Sequence, residues 1–206
     1  MPEITNTALA LQKASEWHSI TLTKRTFNFD RFTTINKGGY FSLRRCWRID
    51  NSPNAYLVSF YNSYNNAAAK GSLDYHSRIS TYLGSFVQFD INVPDTIIQP
   101  FTLAERLMDL LFHENIHLNN HPVFNKKYIL HSTDKTLIVQ ILTDELINEI
   151  GSYDGLNIEI RNNTCVIYFL SPVKESDGPI LVSIAKKMTE LNQYFAQPAP
   201  LNPPST

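Results

Sequence analysis

Two aromatic-rich runs set head to tail around a turn constrain this chain more than any other feature. Residues 40–49 (YFSLRRCWRI) and 55–64 (AYLVSFYNSY) are rich in the aromatic and β-branched residues that fit a pleated, half-buried surface. Between them stands Asp50-Asn51-Ser52-Pro53-Asn54. Pro presets φ, and Asp, Asn and Ser bond their own backbone, so five such residues in a row favour a reversal. The two runs are therefore predicted to pair as an antiparallel hairpin. Tyr56, Phe60, Tyr61 and Tyr64 give the second run more rings than one core face uses, which makes them candidate binding residues. Ordinary sheet packing is the plainer account of the same rings. A contiguous apolar patch at the surface would separate the two.

A second hairpin is expected over 156–161 and 164–170, because Asn162-Asn163 tolerates the positive φ of a tight turn. The N-terminal stretch 4–16 carries Ile4, Ala8, Leu11 and Ala14 at helical spacing. Residues 20–35 turn to strand-like alternation, with Ile20, Leu22, Phe27 and Phe29, and Lys37-Gly38-Gly39 is a turn. A loop at 65–71 precedes strands near 73–82 and 85–92. Thr102-Leu103-Ala104-Glu105 is a capping box, opening a helix that buries Leu103, Leu107, Leu110 and Leu111 and ends near 112–117. A strand is expected at 124–131. Thr133-Asp134 caps a helix or helix pair running to Ile150, with Gly151 at its C-terminal cap. Pro179 opens a last helix that buries Leu181, Ile184, Met188 and Leu191. Residues 197–206 hold four prolines and read as a disordered tail.

The sum is one α+β domain over 1–196, built on antiparallel hairpins with helices packed on one face. A helix, a strand and a hairpin recur in each half, which also fits a degenerate internal duplication. At 206 residues and 43% hydrophobic the chain is long and apolar enough for a sizeable core. Its net charge of −1 argues against a broad nucleic-acid footprint, which needs a basic excess to displace counterions. The strongest local basic run, Arg44, Arg45 and Arg48 around Trp47, reads as a strand with charged outer positions. Two cysteines, Cys46 and Cys165, each sit in an apolar or aromatic run, as buried thiols of a reducing compartment would. No run approaches the roughly 18 apolar residues a membrane span needs. The first residues lack the positive cap and apolar stretch of a secretory signal. A cytoplasmic protein with no integral membrane association is the expectation.

One short motif carries chemistry. His113-Glu114-Asn115-Ile116-His117 fits H-E-x-x-H, in which two His at i and i+4 ligate Zn²⁺ from one helical face and the Glu polarises the bound water. His121, Glu145 or Glu149 would be the third ligand. The motif must stand within a helix, and here it falls at a helix end. Asn115 and β-branched Ile116 are mediocre helix formers, and Asn119-Asn120-His121-Pro122 stops a helix. His18, His76 and His131 stand singly. Asp74, His76 and Ser77 are too close along one strand to form a triad. Asp144, Glu145 and Glu149 read as the solvated face of a helix.

The stretch Asn115-Ile116-His117-Leu118, then His121-Pro122-Val123-Phe124-Asn125-Lys126-Lys127-Tyr128-Ile129-Leu130, then Thr133-Asp134 and Ile141-Leu142-Thr143-Asp144-Glu145-Leu146, resembles a widespread family of uncharacterised bacterial proteins. Upstream, residues 56–64 are similar to the family's apolar aromatic strand. The resemblance covers about residues 55–170 and is one of hydrophobic and turn positions. It implies that the His-Glu-x-x-His match is particular to this chain, since the family's counterparts are a Gly-plus-polar helix end and an acidic residue. Many members are predicted to be membrane-anchored, whereas no anchor helix is expected at this N-terminus. The resemblance supplies no catalytic residues.

Three functional readings follow. The first is a non-catalytic binding module that engages a protein partner and needs no cofactor. The second is a zinc hydrolase using His113, Glu114 and His117. The third is a peripheral membrane-surface protein.

Overall fold

The computed structural model describes residues 2–36, 40–64, 78–102, 115–169 and 171–196. Its organising element is an eight-stranded antiparallel sheet of order β1-β2-β3-β4-β8-β7-β5-β6. The strands are β1 (Ile20–Thr23), β2 (Tyr40–Ile49), β3 (Ala55–Tyr64), β4 (Arg78–Gln88), β5 (Thr96–Pro100), β6 (Tyr128–Ser132), β7 (Leu156–Arg161) and β8 (Thr164–Phe169). The helices are α1 (Pro2–Trp17), α2 (Thr33–Asn36), α3 (Pro122–Lys127), α4 (Lys135–Ile141), α5 (Asp144–Ser152) and α6 (Asp177–Ala196).

Both expected hairpins form. β2 and β3 pair around the 50–54 turn, in which Asn51 and Asn54 take φ of 59° and 63°. β7 and β8 pair around Asn162 and Asn163 at φ 48° and 58°. At the β7–β8 turn the two successive positive φ values match the right-handed twist of the flanking strands, and Asn tolerates a positive φ because its side chain bonds locally.

The sheet has two differently covered faces. Alternate residues Leu57, Leu83, Val87, Ile158 and Ile167 bury against α1, α3, α4, α5 and α6 in one continuous core. Ser85 on this face donates to the Leu181 carbonyl of α6 at 3.0 Å. The α1–α6 crossing is close: a Cβ on Gly178 would lie 2.0 Å from the Ala10 carbonyl oxygen. On the opposite face Tyr56, Val58, Phe60, Phe86, Val166 and Tyr168 pack under Phe29, Phe32 and Ile35. That second cover is residues 24–36, irregular except for one turn of α2. The two cysteines fall on opposite faces, Cys46 under the aromatic cover and Cys165 under the helices.

Several elements differ from the sequence expectation. Only residues 20–23 of the 20–35 stretch join the sheet, and the rest crosses to the second face. Among the described residues one continuous β4 (Arg78–Gln88) crosses the break expected between strands near 73–82 and 85–92, and residues 73–77 lie outside the described residues. Residues 124–127, read as the start of a strand, belong instead to α3, which Pro122 opens, and β6 begins only at Tyr128. β5 was not anticipated. Residues 135–152 form two helices, α4 and α5, whose caps Asp134 and Thr143 accept from Leu137 N and Leu146 N. Gly151 lies within α5, which ends at Ser152. The two halves each give four strands, a sequential meander first and a β8-β7-β5-β6 arrangement second. Residues 65–71, the helix expected from 103, and the tail 197–206 lie outside the described residues. Among the described residues no helix is long and apolar enough to cross a membrane.

Candidate functional site

The aromatic residues singled out in β3 divide between interior and rim. Tyr56 and Phe60 are buried and belong to the second face. Phe60 stacks on Tyr82 with centroids 5.7 Å apart, and Tyr56 meets Phe27 edge to face at 5.3 Å. Tyr61 is half-buried on the other side of β3, where the Arg44 guanidinium lies 5.2 Å above its ring. The position of Tyr64's side chain lies outside the description.

The candidate metal ligands are dispersed as far as they are described. His113 and Glu114 lie outside the described residues. His117 is exposed in a stretch without helical structure, because Ile116 N donates to Leu130 O (2.9 Å) and Leu130 N to Asn115 Oδ1 (2.7 Å), drawing 115–116 along β6. The i, i+4 helical geometry therefore ends before His117. His121 is buried with both ring nitrogens engaged, Nδ1 with Asn148 Oδ1 at 3.1 Å and Nε2 with Asp144 Oδ1 at 2.9 Å. Glu145 and Glu149, one position further along α5, both hold Lys187 of α6, Glu149 at 2.8 Å. Glu149 also accepts from Ser183 Oγ at 2.8 Å. Two adjacent i, i+4 rows of α5 thus clamp two different neighbours. Of the carboxylates read as a solvated face, Asp144 and Glu145 are exposed while still bonding His121 and Lys187, and Glu149 is largely buried as a tie to the last helix. Among the described residues no three His, Cys, Asp or Glu side chains come together as a metal set.

Neither cysteine is placed as a nucleophile. Burial pushes the Cys46 thiol up to about 11 against the opposing pull of Arg25, and the fully buried Cys165 thiol is raised as well.

Sequence reading missed two polar clusters. The first is internal. Glu159 on β7 is fully buried, yet its carboxylate accepts from Thr33 N (2.8 Å), Thr34 N (2.7 Å), both threonine hydroxyls and Arg161 Nε (2.9 Å). Arg161 extends the network to Asp95 at 3.2 Å. Burial alone would raise the Glu159 pKa, but the Thr34 hydroxyl, the Thr33 and Thr34 amides and Arg161 outweigh it and hold the carboxyl below its ordinary value. The cluster pins the aromatic cover to the far half of the sheet.

The second is a surface groove at the β1–β2 edge. β1 ends at Thr23, opposite Cys46, and the chain leaves β2 there. Residues 23–26 and 43–46 become the walls of a groove of about 540 Å³. Lys24, Arg25, Arg44 and Arg45 line it, and no acidic residue does. Arg25 is fixed as part of the floor. Its guanidinium lies 4.5 Å over the Tyr56 ring and donates to the Tyr56 hydroxyl and to Gln88 Oε1. A register shift between Leu43 and Arg45 sets Arg44 and Arg45 against one step of β3, so two adjacent cations stand where a regular strand presents one. The sequence around the groove is polarised: residues 20–49 contain seven Lys and Arg against Asp30 alone, in a chain that totals 18 against 19. A net charge of −1 conceals this segregation.

Comparison with protein-family models, with curated proteins and with solved structures returns no match.

Proposed function

We propose that the protein is a non-catalytic binding module whose partner is anionic and engages the β1–β2 edge. The observation that carries this reading is the groove itself, with four cations, two of them brought together by a bulge, and no carboxylate among its walls. Like charges held close cost free energy in the unliganded protein, and an anionic partner recovers it. Support also comes from the polar groups elsewhere. The His121 nitrogens, the α5 carboxylates and the Glu159 cluster are each engaged in holding one element to another.

Titration of the protein with a fluorescently labelled oligoglutamate, followed by anisotropy, tests the reading. Binding that falls by about tenfold or more on Arg44→Glu/Arg45→Glu substitution, and that weakens as salt shortens the screening length, is the expected result. Both side chains are exposed, so the variant is expected to keep its fold. Equal affinity in variant and wild type, or no binding in either, overturns it.

A further inference from the structure

The groove has a second property besides charge: one wall is open sheet edge. β2 pairs with β1 only from Cys46 to Ile49, and among the described residues no strand flanks positions 42–45 on that side. On their inner side the same residues are laddered to β3, Ser42 to Tyr61, Leu43 to Phe60 and Arg45 to Ser59. The other end of the sheet is different, because residues 115–116 bond along β6.

We propose that an extended acidic peptide segment adds to this edge as a strand. It takes the place that β1 would fill if it ran about four residues further, roughly 13 Å at the rise of a strand. The inference rests on the anionic-partner reading and deepens it. An open edge presents backbone donors and acceptors in alternation, which a peptide backbone matches and a phosphodiester or lipid headgroup does not. Lys24 on one wall and Arg44 and Arg45 on the other reach the carboxylates of the added strand. Charge and a bulge are also how proteins keep edges from pairing with one another. Here the two roles coincide: like charge repels the same edge of a second copy, so the side chains that prevent self-pairing select an acidic strand.

The test uses the full chain and an acetylated, amidated octapeptide of alternating Glu and Thr, with two derivatives N-methylated at the Glu or at the Thr positions. An added strand directs only one set of its amides at β2. The expected result is that the parent peptide binds, one derivative weakens by about tenfold or more and the other does not. Amide exchange at residues 42–45 should also slow. Loss of peptide binding in Arg44→Glu/Arg45→Glu, or in Arg45→Gln should that variant fold poorly, completes the expectation. Equal binding of all three peptides overturns the added strand and leaves the anionic-partner reading standing. Binding to vesicles containing phosphatidylserine, or to single-stranded DNA, without binding to the peptide overturns it in favour of that partner. No binding to any of these probes overturns both readings.

Discussion

Replacing Glu159 with Gln changes one oxygen to an amide nitrogen at a site where five donors converge. The side-chain oxygen of Gln can keep Thr33 N, the Thr33 hydroxyl and Arg161 Nε, all at 2.8–2.9 Å in the native protein. Its NH₂ group then faces Thr34 N, 2.7 Å from the atom it replaces, donor against donor. The Thr34 hydroxyl can rotate to accept, but the backbone N–H cannot. An orphaned buried N–H costs about 1–3 kcal/mol, and exchanging charge-assisted bonds for neutral ones costs about 1 kcal/mol more. The expected loss is about 3 kcal/mol, or roughly 6–12 °C in Tm for a domain of this size. Urea unfolding at pH 7 measures it. The pH dependence supplies a second check. Because the folded carboxyl titrates below its ordinary value of 4.5, its stabilisation is fully present above that value and fades as pH falls through the folded pKa. The gap between wild type and variant should therefore be widest near neutrality and close below about pH 4.5. A loss under about 1 kcal/mol at pH 7, or a gap that does not change with acid, refutes the account of Glu159 as a fully bonded carboxylate.

Other consequences are as direct. Gly178→Ala must push α1 and α6 apart, because the new Cβ would overlap the Ala10 carbonyl, and should cost about 2–4 kcal/mol by thermal or urea unfolding. At the β7–β8 turn, Asn162→Gly and Asn163→Gly should be nearly neutral, whereas Val at either position should cost about 1–2 kcal/mol through the positive φ. Iodoacetamide at pH 8 should leave both cysteines unmodified in the native protein and modify both in urea, with mass spectrometry as the readout; fast native labelling of Cys46 would contradict its burial. Protein purified without an affinity tag is expected to carry no stoichiometric zinc; zinc that disappears in His117→Ala would restore the hydrolase reading.

The features legible in the sequence are those fixed by neighbouring residues. The 50–54 and 162–163 turns were readable because Asn and Pro act on their own φ. The cap at Asp134 was readable because its side chain bonds a backbone N–H three residues on. Residues 124–131 misled because Phe124, Tyr128 and Leu130 fit a strand as well as the end of a short helix that Pro122 opens. β5 escaped because Pro94 and Pro100 flank five residues, although it is laddered to β6 and β7 on both sides. Glu159 looks like an outward strand position in LNIEIR, and what buries it is a segment over 120 residues earlier in the chain. Arg44 and Arg45 were visible as charged positions, but their meeting with Lys24 and Arg25 depends on the Thr23–Cys46 register. Such pairings across the fold leave no local signal.

The seam between β4 and β8 bears on how the chain is made. β4 ends at Gln88, and its inner neighbour begins at Thr164, in the last quarter of the sequence. During translation at about 5–20 residues per second, the nascent β1–β4 meander waits several seconds with that flank bare. The waiting edge is apolar on both sides, with Leu83 and Val87 facing one way and Phe86 the other. It cannot be guarded by charge, since β8 must later lie against it in the interior. The emerging chain thus offers a ribosome-bound template for mispairing between nascent copies. Its yield at high expression should depend on holdase chaperones far more than the finished protein's stability would suggest.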